Sequence, residues 1–161
     1  MASRRSSKTL LPVRIERWNF MKNFDSFYPM LRRFLADIYG SAERGLSIYQ
    51  SRYRAVDYYR NYRVRPNSYL LVATVGGEPV GWLYARRKKD HTYIYDIFVK
   101  PEFRKRGVGR ALVDEVEKLA GGPLVAETHE GAVEAFKSWG FTVEGGYEED
   151  GIKWFVVKRA S

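Results

Sequence analysis

"VKPEFRKRGVGRALVDEVEKLA", residues 99–120, joins an apolar strand end to a proline turn, a cationic glycine-rich loop and then an amphipathic run. Val108, Ala111, Leu112, Val116 and Leu119 fall on one face at helical spacing, so a helix is predicted over Val108–Ala120. A strand that feeds a helix through such a loop aims unsatisfied backbone N–H groups, and the positive end of the helix dipole, at one spot. Phosphates are the usual occupants of such a spot. Gly107 and Gly109 leave room for a bulky anion, and Arg104, Lys105, Arg106 and Arg110 add charge around it.

Two familiar phosphate loops do not fit. The dinucleotide pattern G-x-G-x-x-G needs glycine at position 112, where Leu112 stands, and the P-loop pattern G-x-x-x-x-G-K-(S/T) is absent. The repeated strand–helix order of a Rossmann sheet is missing as well.

Upstream of the loop the chain reads as a short strand at 10–17, a helix at 23–40 and a second, Tyr- and Arg-rich helix at 46–64. In the first helix Phe27, Met30, Leu31, Phe34, Leu35 and Ile38 share a face, Pro29 suits its early part, and Gly40 is a stop. The period then becomes extended. "SYLLVATV" and "VGWLYARR" around "GGEP" predict an antiparallel hairpin, and "HTYIYDIFV" (91–99) a third strand. Downstream lie a strand at 123–128, a helix at 131–140 and a terminal hairpin made of 141–147 and 152–158. The order β-α-α-β-β-β-α-β-α-β-β predicts an α/β chain of the α+β type, a mixed sheet with helices on both faces.

The 161 residues suit one domain, expected over 10–161 behind a basic, flexible tail at 1–9. Zero cysteines exclude disulfides, thiolate metal sites and a thiol nucleophile, and two histidines, His91 and His129, are too few for a metal cluster. No metal is expected. Without an apolar leader or spanning stretch, the expected location is cytoplasmic, with no membrane partner. The formal net charge of +9 suits a phosphate-rich cofactor, an acidic partner or nucleic acid.

The loop resembles the signature of the GNAT N-acetyltransferase superfamily, V-x-P-x-x-(R/Q)-x-x-G-x-(G/A)-x-x-L, with Val99, Pro101, Arg104, Gly107, Gly109 and Leu112 at the matching positions. The element order, the "GGEPVGW" hairpin and the later "A-x-x-x-F-K-S-W-G-F" run (132–141) are similar to that family's hairpin and second cofactor motif. The resemblance covers roughly residues 10–158. It implies a mostly antiparallel twisted sheet whose strand 91–99 splays from strand 123–128, acetyl-CoA as the acetyl donor, and direct transfer to a primary amine.

It further implies that pantetheine runs along Ile97, Phe98 and Val99, and that a backbone N–H near Phe98 or Val99 stabilises the oxyanion. The diphosphate would sit on Arg104, Lys105, Arg106, Gly107, Val108, Gly109 and Arg110. Tyr93 and Tyr95 stand where relatives carry a base or a water-holding residue, and neither phenol suits that task at its reference pKa of about 10. Asp96 alternates to the other side of the strand unless a bulge intervenes, and Glu127 is the second carboxylate within reach. Two departures concern the second motif. His129 replaces an asparagine that contacts cofactor, and Phe136 replaces the tyrosine that commonly serves as general acid. Tyr147 is a further candidate acid.

The helix at 49–65 interleaves five Tyr with five Arg, which suits either inward-packed tyrosines with solvated arginines or a rim for an extended acceptor. A protein α-amino group or a Lys side chain is the expected acceptor. A small amine, a non-catalytic CoA-binding module and a nucleic-acid-binding module remain alternatives, and the chain could be a monomer or a homodimer.

Overall fold

A computed structural model of the chain describes residues 12–19, 22–52 and 66–160, the side chains of 48–52 excepted. Among these described residues seven strands and four α-helices follow the predicted order. They are β1 Val13–Arg17, α1 Phe24–Tyr39, α2 Ala42–Arg52, β2 Ser68–Val75, β3 Glu78–Arg87, β4 Thr92–Val99, α3 Val108–Ala120, β5 Leu124–His129, α4 Val133–Ser138, β6 Thr142–Glu149 and β7 Ile152–Arg159. Single 3-10 turns at Pro101–Phe103 and Glu130–Ala132 precede α3 and α4. The sheet order is β1-β2-β3-β4-β5-β7-β6, antiparallel throughout except for the β4/β5 pair. No helix among the described residues is long and apolar enough to cross a membrane.

Each sheet face carries its own core. On one side Leu112, Val113 and Val116 of α3 pack with Leu83, Ile94, Leu124 and Val157. On the other, Phe27, Leu31 and Phe34 of α1 pack on Val72, Trp82, Tyr84 and Phe98. Alternation sends successive side chains of β3 to opposite cores, which is why the nearly unbroken apolar run "VGWLYA" is a strand buried on both faces.

The second helix begins at Ala42, four residues before the predicted start at Leu46. Ser41 explains the difference, because its hydroxyl accepts the Arg44 N–H at 3.1 Å and so caps the helix. Gly45 then tucks against α1, where a Cβ would lie 2.7 Å from that of Leu35. Residues 53–65, the rest of the predicted helix, and the predicted tail at 1–9 lie outside the described residues.

Two irregularities in β4 position the site. Tyr84 pairs with Asp96 while the next residue, Ala85, pairs with Ile94, so Tyr95 is one residue extra in the ladder. Beyond Ile94, paired with Ala126, the parallel ladder to β5 ends and β5 continues its pairing with β7 alone. A wedge opens between β4 and β5.

Candidate active site

Lys105 (φ 62) and Gly107 (φ 84) both adopt left-handed backbone around Arg106, which turns successive N–H groups toward one concavity. Gly107 is the N-cap of α3 and has no side chain to satisfy the helix's first amides. The first intrahelical bond runs from Ala111 N–H to the Gly107 carbonyl, leaving the amides of Val108, Gly109 and Arg110 pointing outward. This concavity opens into a cavity of ≈ 660 Å³ reaching into the wedge.

Of the residues expected to hold cofactor, Ile97, Phe98, Val99, Arg104, Lys105, Gly107, Gly109, Arg110, His129 and Phe136 line this cavity. Val108 instead has its side chain buried beneath α3, and Arg106 lies over the Phe103 ring at 5.6 Å. The charge of Arg104 is already engaged. Its Nε donates to the Val99 carbonyl at 2.8 Å, its Nη2 meets Asp37 of α1 at 2.5 Å, and its guanidinium covers the Phe98 ring. Arg104 thereby braces the loop against β4 and α1. Arg110 donates to the Ser138 carbonyl on α4.

Gly109 has a second role that the loop pattern does not reveal. A Cβ there would lie 2.2 Å from the Trp139 indole, so the ring of α4's C-cap occupies the space left by the missing side chain. Phe136, 3% exposed, stacks edge-on against both Trp139 and Phe141. The position without a hydroxyl is therefore a core position as well as a wall of the cavity.

The Lys100 N–H donates to the Val80 carbonyl on β3. By alternation the Phe98 amide faces β3 too, whereas those of Ile97 and Val99 face the wedge. Of the two amides expected at an oxyanion, Val99 is the one turned to the gap.

A second cavity of ≈ 460 Å³ continues from the first across the sheet face covered by α1. The two share Phe34, Ile38, Ile97, His129, Ala132 and Phe136. The extra residue in β4 brings Tyr95 and Asp96 to this face together, so Asp96 lines the second cavity with Tyr93, Tyr95 and Glu127. Strand alternation alone would have separated them. Tyr93 donates its hydroxyl to Glu127 Oε2. Burial first, then that hydrogen bond and the charge of Glu127, push the phenol far above its ordinary range, which keeps the proton on Tyr93. Tyr95 accepts a hydrogen bond from Lys88 Nζ at 2.9 Å and stacks edge-on with Tyr93. Tyr147 and Trp154 of the terminal hairpin form the far wall.

His129 sits at the junction, its ring edge-on to Trp154. Burial holds its imidazole below the ordinary value, with Arg104 acting the same way and Asp37 opposing. Because the unfolded chain then binds the proton more readily, this contribution to stability is intact above about pH 6.5 and is lost as pH falls through that value toward the folded pKa. His129→Asn is therefore expected to lose less stability than the parent between pH 7.5 and 5.5, read as the shift in urea midpoint. An equal loss in both proteins would contradict this.

Sequence reasoning missed Trp139, Trp154 and Lys88. Trp139 stands in the second-motif run, Trp154 in the last strand and Lys88 in the basic stretch "RRKKDH", and none of these local contexts marks a cavity wall. Among the described residues no three His, Cys, Asp or Glu side chains cluster as a metal site needs.

Known proteins share this fold. The model of the Acetyltransferase (GNAT) family matches residues 29–141. An uncharacterized N-acetyltransferase of Methanocaldococcus jannaschii is 31% identical over 121 residues, 65% of this chain and 54% of that protein. The chain thus spans about half the length of that curated relative. Among solved structures, the PaiA N-acetyltransferase of Thermoplasma acidophilum, in complex with coenzyme A, superposes with a TM-score of 0.73 over 94% of this chain and 100% of that one at 17% identity. The ribosomal-protein-S18-alanine N-acetyltransferase of Escherichia coli gives 0.65 over 92% and 94% at 16% identity. These likenesses carry the fold, and the family match spans the diverging strands, the glycine loop and the second motif: the chain belongs to the Acetyltransferase (GNAT) family.

Proposed function

We propose that the protein is an N-acetyltransferase that moves acetyl from acetyl-CoA directly to a primary amine, a protein α-amino group or a Lys side chain. The observation that carries this reading is the pair of cavities meeting at the wedge, one floored by the start of α3 with its unpartnered amides and the other lined by carboxylates. The coenzyme supplies an activated thioester. The amides of Val108–Arg110 with Lys105 would hold its diphosphate, the free edge of β4 at Ile97–Val99 would align its pantetheine, and the Val99 N–H would serve as the oxyanion donor.

With no cysteine in the chain, an acyl-thiol intermediate on the protein is excluded. An amine is protonated near neutral pH and must lose a proton before its nitrogen attacks. Glu127, held by the Tyr93 hydroxyl, accepts that proton directly or through a water, with Asp96 on the same face. The C–N bond forms, the C–S bond breaks, and the thiolate takes a proton from solvent, because Phe136 has none to give.

The test is a panel of peptides with free α-amines, Lys peptides with blocked N-termini, polyamines and small amines, assayed with acetyl-CoA for free thiol. Thiol release with the peptides is the expected result. Release with polyamines or small amines alone would move the acceptor to that class, and none above hydrolysis would remove the enzyme reading. The E. coli structural neighbour, named for acting on an alanine of a ribosomal protein, lends the peptide arm its place in the panel.

A further inference from the structure

Lys88 is half-buried in the wall of the second cavity, the acceptor cavity on the reading above, and its side-chain contacts among the described residues are both neutral. Its ammonium donates to the Tyr95 hydroxyl at 2.9 Å and lies 5.4 Å from the Tyr95 ring centre. Among the described residues no carboxylate lies within ion-pair distance of it, whereas Lys100, Lys137, Arg104 and Arg159 all have one. A partly desolvated cation without a counter-charge is costly, and a ligand anion would relieve that cost.

The position of Lys88 gives the anion an address. Its backbone is tied to the β3–β4 turn through its N–H and the His91 carbonyl, at the end of β4 remote from Val99. It lines the acceptor cavity and not the donor cavity, as do Glu127 and Asp96. Between the lysine and the junction runs a floor of Tyr95 and Tyr93, ring centres 4.8 Å apart. The acceptor cavity is thus cationic at one end and acidic nearer the reacting centre, with an aromatic surface between.

We infer that the acceptor carries a carboxylate as well as the reacting amine, with Lys88 binding the carboxylate while the amine faces Glu127 and Asp96. The assignment rests on the transferase reading above and narrows it to an acceptor class. A peptide with an acidic residue near the reacting amine, or a free amino acid, would supply both groups.

The experiment uses the full chain with acetyl-CoA and acceptors in matched pairs, followed by thiol release. One arm compares peptides that differ by Asp against Asn next to the acceptor amine. The other compares free amino acids with their amides. In the parent protein the acidic member of at least one pair is expected to have a kcat/KM about tenfold higher, mostly through KM, as suits one charge-assisted hydrogen bond. The arm in which this occurs identifies the source. Lys88→Met keeps the apolar stem and should bring that ratio close to one, while Lys88→Arg should keep it. Acetyl-CoA binding by calorimetry reports whether each variant is folded. A ratio of one in the parent protein, or one untouched by Lys88→Met, overturns this assignment and leaves the transferase reading standing. Absence of thiol release with every amine removes both.

Discussion

Gly109→Ala is expected to destabilise the fold by about 1–3 kcal/mol and to weaken acetyl-CoA binding more than tenfold. The added methyl would sit 2.2 Å from the Trp139 ring, far inside any tolerable contact. Trp139 cannot yield freely, because it is stacked on Phe136, which in turn packs against Phe141. Either the indole shifts into the donor cavity it lines or the start of α3 moves away from α4, and both outcomes disturb the amides at 108–110. Gly107→Ala is the informative control. Nothing lies within 4 Å of its would-be Cβ, so its cost comes from holding alanine at φ 84, roughly 1–2 kcal/mol. Urea unfolding gives the stability terms and calorimetry the affinities. Parent-like affinity in Gly109→Ala would mean that the indole relaxes without moving the loop.

That pair of glycines also shows where the sequence is legible. Gly107 could be read locally, because a helix start needing positive φ is a property of its own few residues. Gly109 could be assigned to phosphate approach but not to Trp139, thirty residues away, since only the folded chain makes them neighbours. The same division runs through the fold. Strand and helix order followed from a change of period and from turn residues such as Gly76 and Gly77. The start of α2 did not, because its Ser41 cap lies ahead of the tyrosine-rich run that marks this helix in the sequence.

In the site, the donor side was compact in sequence and could be read from one segment. The second cavity is assembled from α1, the β3–β4 turn, β4, β5, α4 and the terminal hairpin, and its charge pattern exists only after folding. Asp96 is the clearest case. Period-2 alternation places it away from Tyr95, and a single extra residue in the ladder reverses that placement. Such a register step depends on how β3 and β4 pair across the sheet, information that β4's own sequence does not hold. Arg104 is another. It was expected beside the diphosphate, and Asp37, too distant in sequence to be anticipated, draws its charge to α1.

Glu127→Gln is expected to lower kcat/KM for the amine about a hundredfold at neutral pH, the low end of what a positioned general base contributes. The amide keeps the size and a hydrogen-bonding oxygen for Tyr93 but cannot take the ammonium proton, so acetyl-CoA affinity should be unchanged. The deficit should shrink as pH rises past the acceptor's own pKa, about 8 for an α-amine and about 10.4 for Lys, because solvent then deprotonates the nucleophile. On the proposed mechanism Tyr93 acts through Glu127, and its test must separate positioning from packing. Tyr93→Phe removes the hydroxyl that Glu127 accepts while keeping the ring against Tyr95. It is expected to cost several-fold in kcat in the parent protein and nothing further in Glu127→Gln, the non-additivity of two groups serving one step. Additive losses would make Tyr93 a packing residue only. A Glu127→Gln enzyme with parent-like activity at neutral pH would pass the proton to Asp96 or to water alone.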